Sequence, residues 1–348
     1  MTGPGDGCDT RFSSRQQDGP AIEARGLVKV YGKTRTLDGI DLTIRRGQVF
    51  GFLGPNGAGK TTTIRILATL TQPDGGTAHV LGFDAVSQAD AIRARVAVTG
   101  QFASLDDDLT GYGNLIVVFG RLRGLSRAAS RQRADELLAA FDLTGSASRL
   151  VGGYSGGMRR QLDIGDSLIA TPDLLFLDEP TTGMDPRSQI QVWELVRQIA
   201  AAGATVLLTT QYLEEADQLA GQIAVIDHGR IVTEGTSAQL KARVGSGTLH
   251  VRLLDGEQRS QAQAVLAGTV NGPVQLGADP LTLSVLLVTP ADATDVGRQV
   301  GHAMTQVSEA KVAVAELTLG QPSLHEAFLA LTGKPRMSVA TGREDTNT

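Results

Sequence analysis

Gly54-Pro55-Asn56-Gly57-Ala58-Gly59-Lys60-Thr61 reads G-x-x-x-x-G-K-[ST], between an apolar run, Val49–Leu53, and a stretch of helical spacing that opens at Lys60. The setting matters as much as the letters. Where a strand turns into a helix, glycines let the backbone curl until successive N–H groups converge on an anion. The helix N-terminus adds its partial positive charge. Lys60 then offers a full charge to β- and γ-phosphates, and Thr61 a hydroxyl to Mg²⁺. Gly54 to Thr62 is the expected phosphate-binding segment.

Downstream, Leu174-Leu175-Phe176-Leu177-Asp178-Glu179 is an apolar strand that ends in two carboxylates. In a parallel sheet, strand C-termini face the ligand crevice. Asp178 would there hold Mg²⁺ through water, and Glu179 would orient or deprotonate a water attacking the terminal phosphate. An Asp-Glu pair at a strand end can also be merely solvated. The phosphate loop upstream is what favours the chemical role.

Between these landmarks, strand-like runs (Gln48–Leu53, Val96–Thr99, Leu174–Asp178, Thr205–Thr210, Ile223–Ile226) alternate with helical spacing at Lys60–Leu70, Ser130–Phe141, Gly157–Ala170 and Ser188–Ala201. That alternation predicts an α/β fold, a mainly parallel sheet with helices on both faces. Two early segments, Ile22–Lys29 and Thr36–Ile44, read as antiparallel strands about a turn at Tyr31-Gly32-Lys33. The character changes near Val244–Gly247. Strands at Thr248–Leu254, Thr282–Val288 and Val312–Leu317 and helices at Gln258–Leu266 and Asp295–Val307 suggest a small α+β domain, ferredoxin-like in rhythm. The expected division is a disordered tail over 1–20, a main domain over 21–243 with a helical subdomain at about 102–156, the α+β domain over 244–333, and a polar tail over 334–348.

Composition narrows the class. In 348 residues, 41% are apolar and only 4% aromatic, so the core must be aliphatic. A net charge of −5 gives no basic footprint for nucleic acid. The apolar runs Leu115–Phe119 and Leu174–Leu177 are far shorter than the roughly 20 residues of a membrane span. Met1–Pro20 has no apolar core for a secretory signal. The single cysteine, Cys8, excludes a disulfide within the chain and fits a reducing compartment.

Tyr154-Ser155-Gly156-Gly157-Met158 resembles the signature of ABC ATPases, usually written LSGGQ, with its Ser-Gly-Gly centre intact. Ser155 can cap a helix, and the bare Gly156-Gly157 backbone can approach a phosphate. The resemblance covers roughly 21–243 and is nearest to the daunorubicin/doxorubicin resistance ATP-binding subunits. Val98-Thr99-Gly100-Gln101-Phe102-Ala103, Tyr154–Arg160, Thr209-Thr210-Gln211-Tyr212-Leu213-Glu214-Glu215-Ala216-Asp217 and the tail Pro322–Gly333 carry it. It implies the P-loop NTPase fold of the ABC ATPase domain, with ATP and Mg²⁺ as ligands. It casts Gln101 as the glutamine that reaches Mg²⁺, Tyr31 as an aromatic stacking on adenine, and Asp185 as the aspartate that meets a second subunit. A core or surface tyrosine is the lesser alternative for Tyr31, since one aromatic is weak evidence. Gln211 stands where the general pattern has a histidine. None of His79, His228, His250, His302 and His325 can fill that slot, and the drug-resistance group shares the glutamine.

The resemblance further implies a head-to-tail homodimer, with each ATP between one chain's phosphate loop and the other's Ser155–Gly157. Hydrolysis would drive a separate membrane permease, and the chain would sit at the cytoplasmic face of the cell membrane, held there by that permease. Leu105–Phe119 reads as ordinary core, as a groove for a permease helix, or as both. The function implied is export of a hydrophobic drug or antibiotic. An importer subunit and a soluble, non-transport ABC ATPase are the alternatives. The latter carries two ATPase domains or a long coiled coil, and this chain has neither.

Overall fold

Leu174 and Phe176 fall in one buried apolar cluster, Leu175 and Leu177 in another. Side chains alternate faces along a strand, so an unbroken apolar run needs cover on both sides. The computed structural model, which describes residues 19–100, 105–120, 126–169, 172–243, 247–270, 272–287 and 293–332, supplies that cover. The described chain forms two compact units that divide between Ser237 and Ala238.

In the first unit, β1 (Ile22–Tyr31), β2 (Thr34–Ile44), β4 (Gly75–Val80) and β5 (Phe83–Asp84) form an antiparallel sheet in the order β2-β1-β4-β5. A second sheet holds β3 (Val49–Leu53), β6 (Val96–Thr99), β7 (Leu174–Asp178), β8 (Thr205–Thr210), β9 (Gln222–Asp227) and β10 (Arg230–Gly235). Its order is β10-β9-β3-β8-β7-β6, parallel except for the β9–β10 pair. One face of it shares a core with the antiparallel sheet and the helix Lys60–Leu67. The other packs on the helices Arg127–Ala140, Gly156–Ser167 and Pro186–Ala201. The sheet is mixed and covered on both faces, as expected.

The first helix ends at Leu67 rather than Leu70, because Thr69 takes φ 62° and breaks the helical path. Between β6 and β7 the described residues include helical turns at Gly111–Gly113 and Asn114–Gly120 and the helices Arg127–Ala140 and Gly156–Ser167. Asn114 is fully buried there: its Oδ1 accepts from Asp106 N (2.8 Å), and its Nδ2 donates to the carbonyls of Asp106 (2.9 Å) and Thr110 (3.2 Å). The stretch that could be core or groove divides residue by residue: Leu115 is buried while Val117 is half exposed.

Tyr154, which replaces the leucine of the general signature, has a structural reason. Its ring packs in this helical core and its hydroxyl donates to Ser146 O at 2.6 Å. A Cβ on Gly111 would stand 2.2 Å from that hydroxyl, so tyrosine and glycine fit as a pair. Burial raises the phenol pKa, against a lowering by Arg149, whose guanidinium lies 5.9 Å from the ring centre. Tyr154→Phe should lower the unfolding free energy by about 0.5–1.5 kcal/mol, read as a shifted denaturant midpoint at unchanged slope.

The second unit holds β11 (Gly247–Leu253), β12 (Val274–Leu276), β13 (Thr282–Leu287) and β14 (Val314–Gly320), antiparallel in the order β12-β13-β11-β14. Helices Arg259–Thr269 and Ala293–Glu309 complete a β-α-β-β-α-β chain order, followed by the helix Leu324–Thr332. Leu249, Val251 and Leu253 enter its core while His250 and Arg252 alternate outward; Thr248, on the outward face, is buried where its Oγ1 donates to Glu326 Oε2 at 3.1 Å.

Candidate nucleotide site

Three adjacent strand ends build the site. β3 pairs with β8 and β8 with β7, with Leu53 opposite Thr210 and Asp178 opposite Thr209. Gly54 N donates to Thr210 O (3.2 Å) and Glu179 N to Thr209 O (3.0 Å). The phosphate loop, Gln211 and the acidic pair therefore leave one sheet edge side by side.

The loop's curvature rests on Gly59, which precedes the helix Lys60–Leu67 at φ 111°, a conformation side chains rarely adopt. A Cβ there would also lie 2.6 Å from Leu37. Lys60 is buried, and its Nζ donates to the carbonyls of Gly54 (2.8 Å) and Pro55 (3.1 Å). Glu179 Oε1 lies 3.2 Å from that ammonium. Thr182 Oγ1 donates to Glu179 Oε2 at 3.3 Å. Glu179 itself takes φ 49°, in the sparsely used left-handed region for a residue with a side chain. Asp178 is buried and accepts from Thr209 Oγ1 at 2.5 Å.

Asn56, Gly57, Gly59, Lys60, Thr61, Thr62 and Glu179 wall one cavity of about 270 Å³, together with Thr36 of β2. Gly54, Pro55 and Ala58 shape the loop behind it. Tyr31, Ser155, Gly156, Gly157, Asp178, Asp185 and Gln211 lie outside its wall. Gln101 lies outside the described residues, directly after Gly100 at the end of β6.

Tyr31 closes β1 half exposed, with Lys29 Nζ 5.4 Å from its ring centre. Ser155 caps the helix Gly156–Ser167, accepting from Met158 N at 3.2 Å. The two glycines that follow differ. A Cβ on Gly156 would meet nothing within 4 Å, whereas one on Gly157 would lie 2.5 Å from Ser188 Oγ. Gly156 presents bare backbone outward; Gly157 is required inside. Asp185 caps the helix Pro186–Ala201, accepting from Ser188 N (3.0 Å) and Ser188 Oγ (2.6 Å), and these bonds lower its pKa.

Sequence reasoning missed Thr36, Thr209, Arg160 and Glu215. Thr36 carries no motif and reaches the cavity only through strand pairing. Thr209 could have been found from its register opposite Asp178. Arg160 and Glu215 lie inside quoted stretches, but only packing shows what they touch.

A family profile described as ABC transporter matches residues 37–182. The daunorubicin/doxorubicin resistance ATP-binding protein of Streptomyces peucetius is 54% identical over 315 residues, 90% of this chain and 93% of that one. The Nod factor export ATP-binding protein I of Ralstonia nicotianae is 46% identical over 221 residues, 64% of this chain and 68% of that one. Among solved structures, an ATP-binding subunit of an ABC transporter superposes with a TM-score of 0.58 at 26% identity, over 64% of this chain and 92% of that chain.

Proposed function

Because this chain belongs to the ABC transporter ATP-binding proteins, in the group of the daunorubicin/doxorubicin resistance subunits, we propose that it hydrolyses ATP to drive efflux of a hydrophobic drug through a separate membrane permease. The observation that carries the reading is Lys60 Nζ at 3.2 Å from Glu179 Oε1, in one cavity walled by the phosphate loop. That geometry brings a phosphate-binding cation and a carboxylate base to the same few ångströms. The export sense comes from the relatives in Streptomyces and Ralstonia, named for resistance and for export.

In this reading the backbone N–H groups of Asn56 to Thr62 and the Lys60 ammonium bind the β- and γ-phosphates. Tyr31 stacks on the adenine. Glu179 accepts the proton of the attacking water. Gln211, leaving β8 beside the loop, positions that water or the γ-phosphate. A glutamine amide both donates and accepts, as a neutral histidine does, so positioning survives the replacement while titration near neutrality does not. The donor set also suits Mg²⁺: the Thr61 hydroxyl, the Asp178 carboxylate and the Gln101 amide are hard oxygens, and Mg²⁺ takes few protein ligands beside phosphate oxygens. Mg²⁺ would neutralise charge on the β- and γ-oxygens.

Ser155 and Gly156 lie outside the cavity wall, and the outward Gly156 backbone suits a phosphate carried by a second copy. We therefore read the working form as a homodimer with Asp185 at its interface. No helix of the described residues is long and apolar enough to cross a membrane, so the path for the drug belongs to the permease. Attachment to the permease would hold the chain at the cytoplasmic face of the membrane.

The test is anthracycline accumulation in cells that express this chain with its permease. Accumulation should fall in these cells, and not in cells whose copy carries Glu179→Gln. Equal accumulation in both, with active ATPase, would reject the drug class; increased uptake would favour an importer.

A further inference from the structure

Arg160 and Glu215 are both buried, and neither walls the nucleotide cavity. Arg160 stands on the helix that Ser155 caps. Its Nε donates to Pro180 O (2.9 Å), its Nη2 to Asp178 O (3.2 Å) and its Nη1 to Gly100 O (2.6 Å) and Asp163 Oδ2 (3.1 Å). Two of these carbonyls flank Glu179, and the third immediately precedes Gln101. One planar guanidinium with five donors can serve them together; a lysine ammonium cannot.

Glu215 stands on the helix Leu213–Leu219, which follows Gln211. Its Oε1 accepts from Thr181 Oγ1 (2.8 Å) and from Trp193 Nε1 (3.3 Å), and Trp193 belongs to the helix that Asp185 caps. Thr210, at the end of β8, also hydrogen-bonds this buried carboxyl through its side chain. Desolvation raises the pKa of this carboxyl, outweighing the hydrogen bonds that lower it. Between these anchors Glu179 keeps its left-handed backbone, which persists only where the surroundings over-determine it.

We propose that Arg160 and Glu215 are positioning residues that jointly hold the main chain of Asp178–Thr181, and so Glu179, in its working conformation. Arg160 ties that segment to the helix of Ser155, and Glu215 ties it to the Gln211 loop and the Asp185 helix. The proposal rests on the reading of Glu179 as base and of the site as shared across a dimer. Ser155 then faces the nucleotide held by the partner while Glu179 faces its own, so the Arg160 bonds connect the two sites through one chain.

The experiment measures ATP affinity and turnover of the full chain in Arg160→Lys, Glu215→Leu, their double variant and Glu215→Gln, with Glu179→Gln alongside. Arg160→Lys and Glu215→Leu should each cut turnover roughly tenfold or more while ATP affinity stays within about twofold. Glu215→Gln keeps an acceptor oxygen for Thr181 and Trp193 and should restore turnover to within about twofold of wild type. The double variant should lose less than the product of the single losses, because both residues hold one segment. Wild-type turnover in Arg160→Lys or Glu215→Leu, or independent losses in the double variant, would overturn the proposal. Equal failure of Glu215→Gln and Glu215→Leu would do the same, as would ATP affinity falling in step with turnover. Wild-type turnover in Glu179→Gln would instead reject the assignment of the base, separately from the joint hold.

Discussion

Glu179→Gln leaves ATP binding intact and cuts hydrolysis by roughly 10²-fold or more. The substitution keeps the volume of the side chain and places no new demand on a backbone already at φ 49°. The amide oxygen can stand near Lys60 Nζ while the amide NH2 donates to the Thr182 hydroxyl, which can also accept, so the local geometry survives. What is lost is the capacity to take a proton from the attacking water. Removing a negative charge from beside the terminal phosphate also cannot weaken nucleotide binding electrostatically. A chain that binds ATP without consuming it should accumulate in its ATP-bound dimer, visible as a doubled mass in light scattering when ATP is added. Nucleotide titration, steady-state phosphate release and light scattering on one preparation check all three points. Turnover at the wild-type rate would remove Glu179 from the chemistry.

The motifs were legible because they are local. The phosphate loop needs a strand, a turn and a helix in sequence, and each shows in a few residues. The same holds for the run Leu174–Asp178, whose unbroken apolar character announces burial on both faces. Strands that stay half exposed were not legible. β4 begins Gly75-Gly76-Thr77 and is half exposed, and β10 alternates exposed and part-buried residues around two buried ones, so neither carries a strong apolar signal. Contacts between distant segments were hidden for another reason. Arg160 sits three positions after Gly157 and reads as one more charge on a helix. Its bonds to Gly100, Asp178 and Pro180 exist only because β6 and β7 are neighbours in the sheet. Glu215 likewise reads as the second of two acids in a helix's first turn, where acids are common, and only packing buries it against Thr181 and Trp193.

Lys60→Ala separates two roles of one ammonium. Toward nucleotide, the loop would keep its backbone N–H groups and the curvature set by Gly59, but lose its only full charge. MgATP affinity should fall by more than roughly tenfold, about 1.4 kcal/mol or more. Toward the protein, Nζ stands 3.2 Å from Glu179 Oε1 at a site where both side chains are largely buried. Removing the cation takes the Lys60 ammonium away from a buried carboxylate, a loss that can reach roughly 3 kcal/mol of folding stability without nucleotide. The double variant Lys60→Ala with Glu179→Gln tells the two apart. Its amide carries no charge to strand, so the stability lost in Lys60→Ala should largely return, as seen in denaturant midpoints without nucleotide. The affinity for MgATP should not return, because the phosphates still meet no cation. An affinity restored together with stability would mean that Lys60 serves to neutralise Glu179, and that the backbone of the loop alone binds the phosphates.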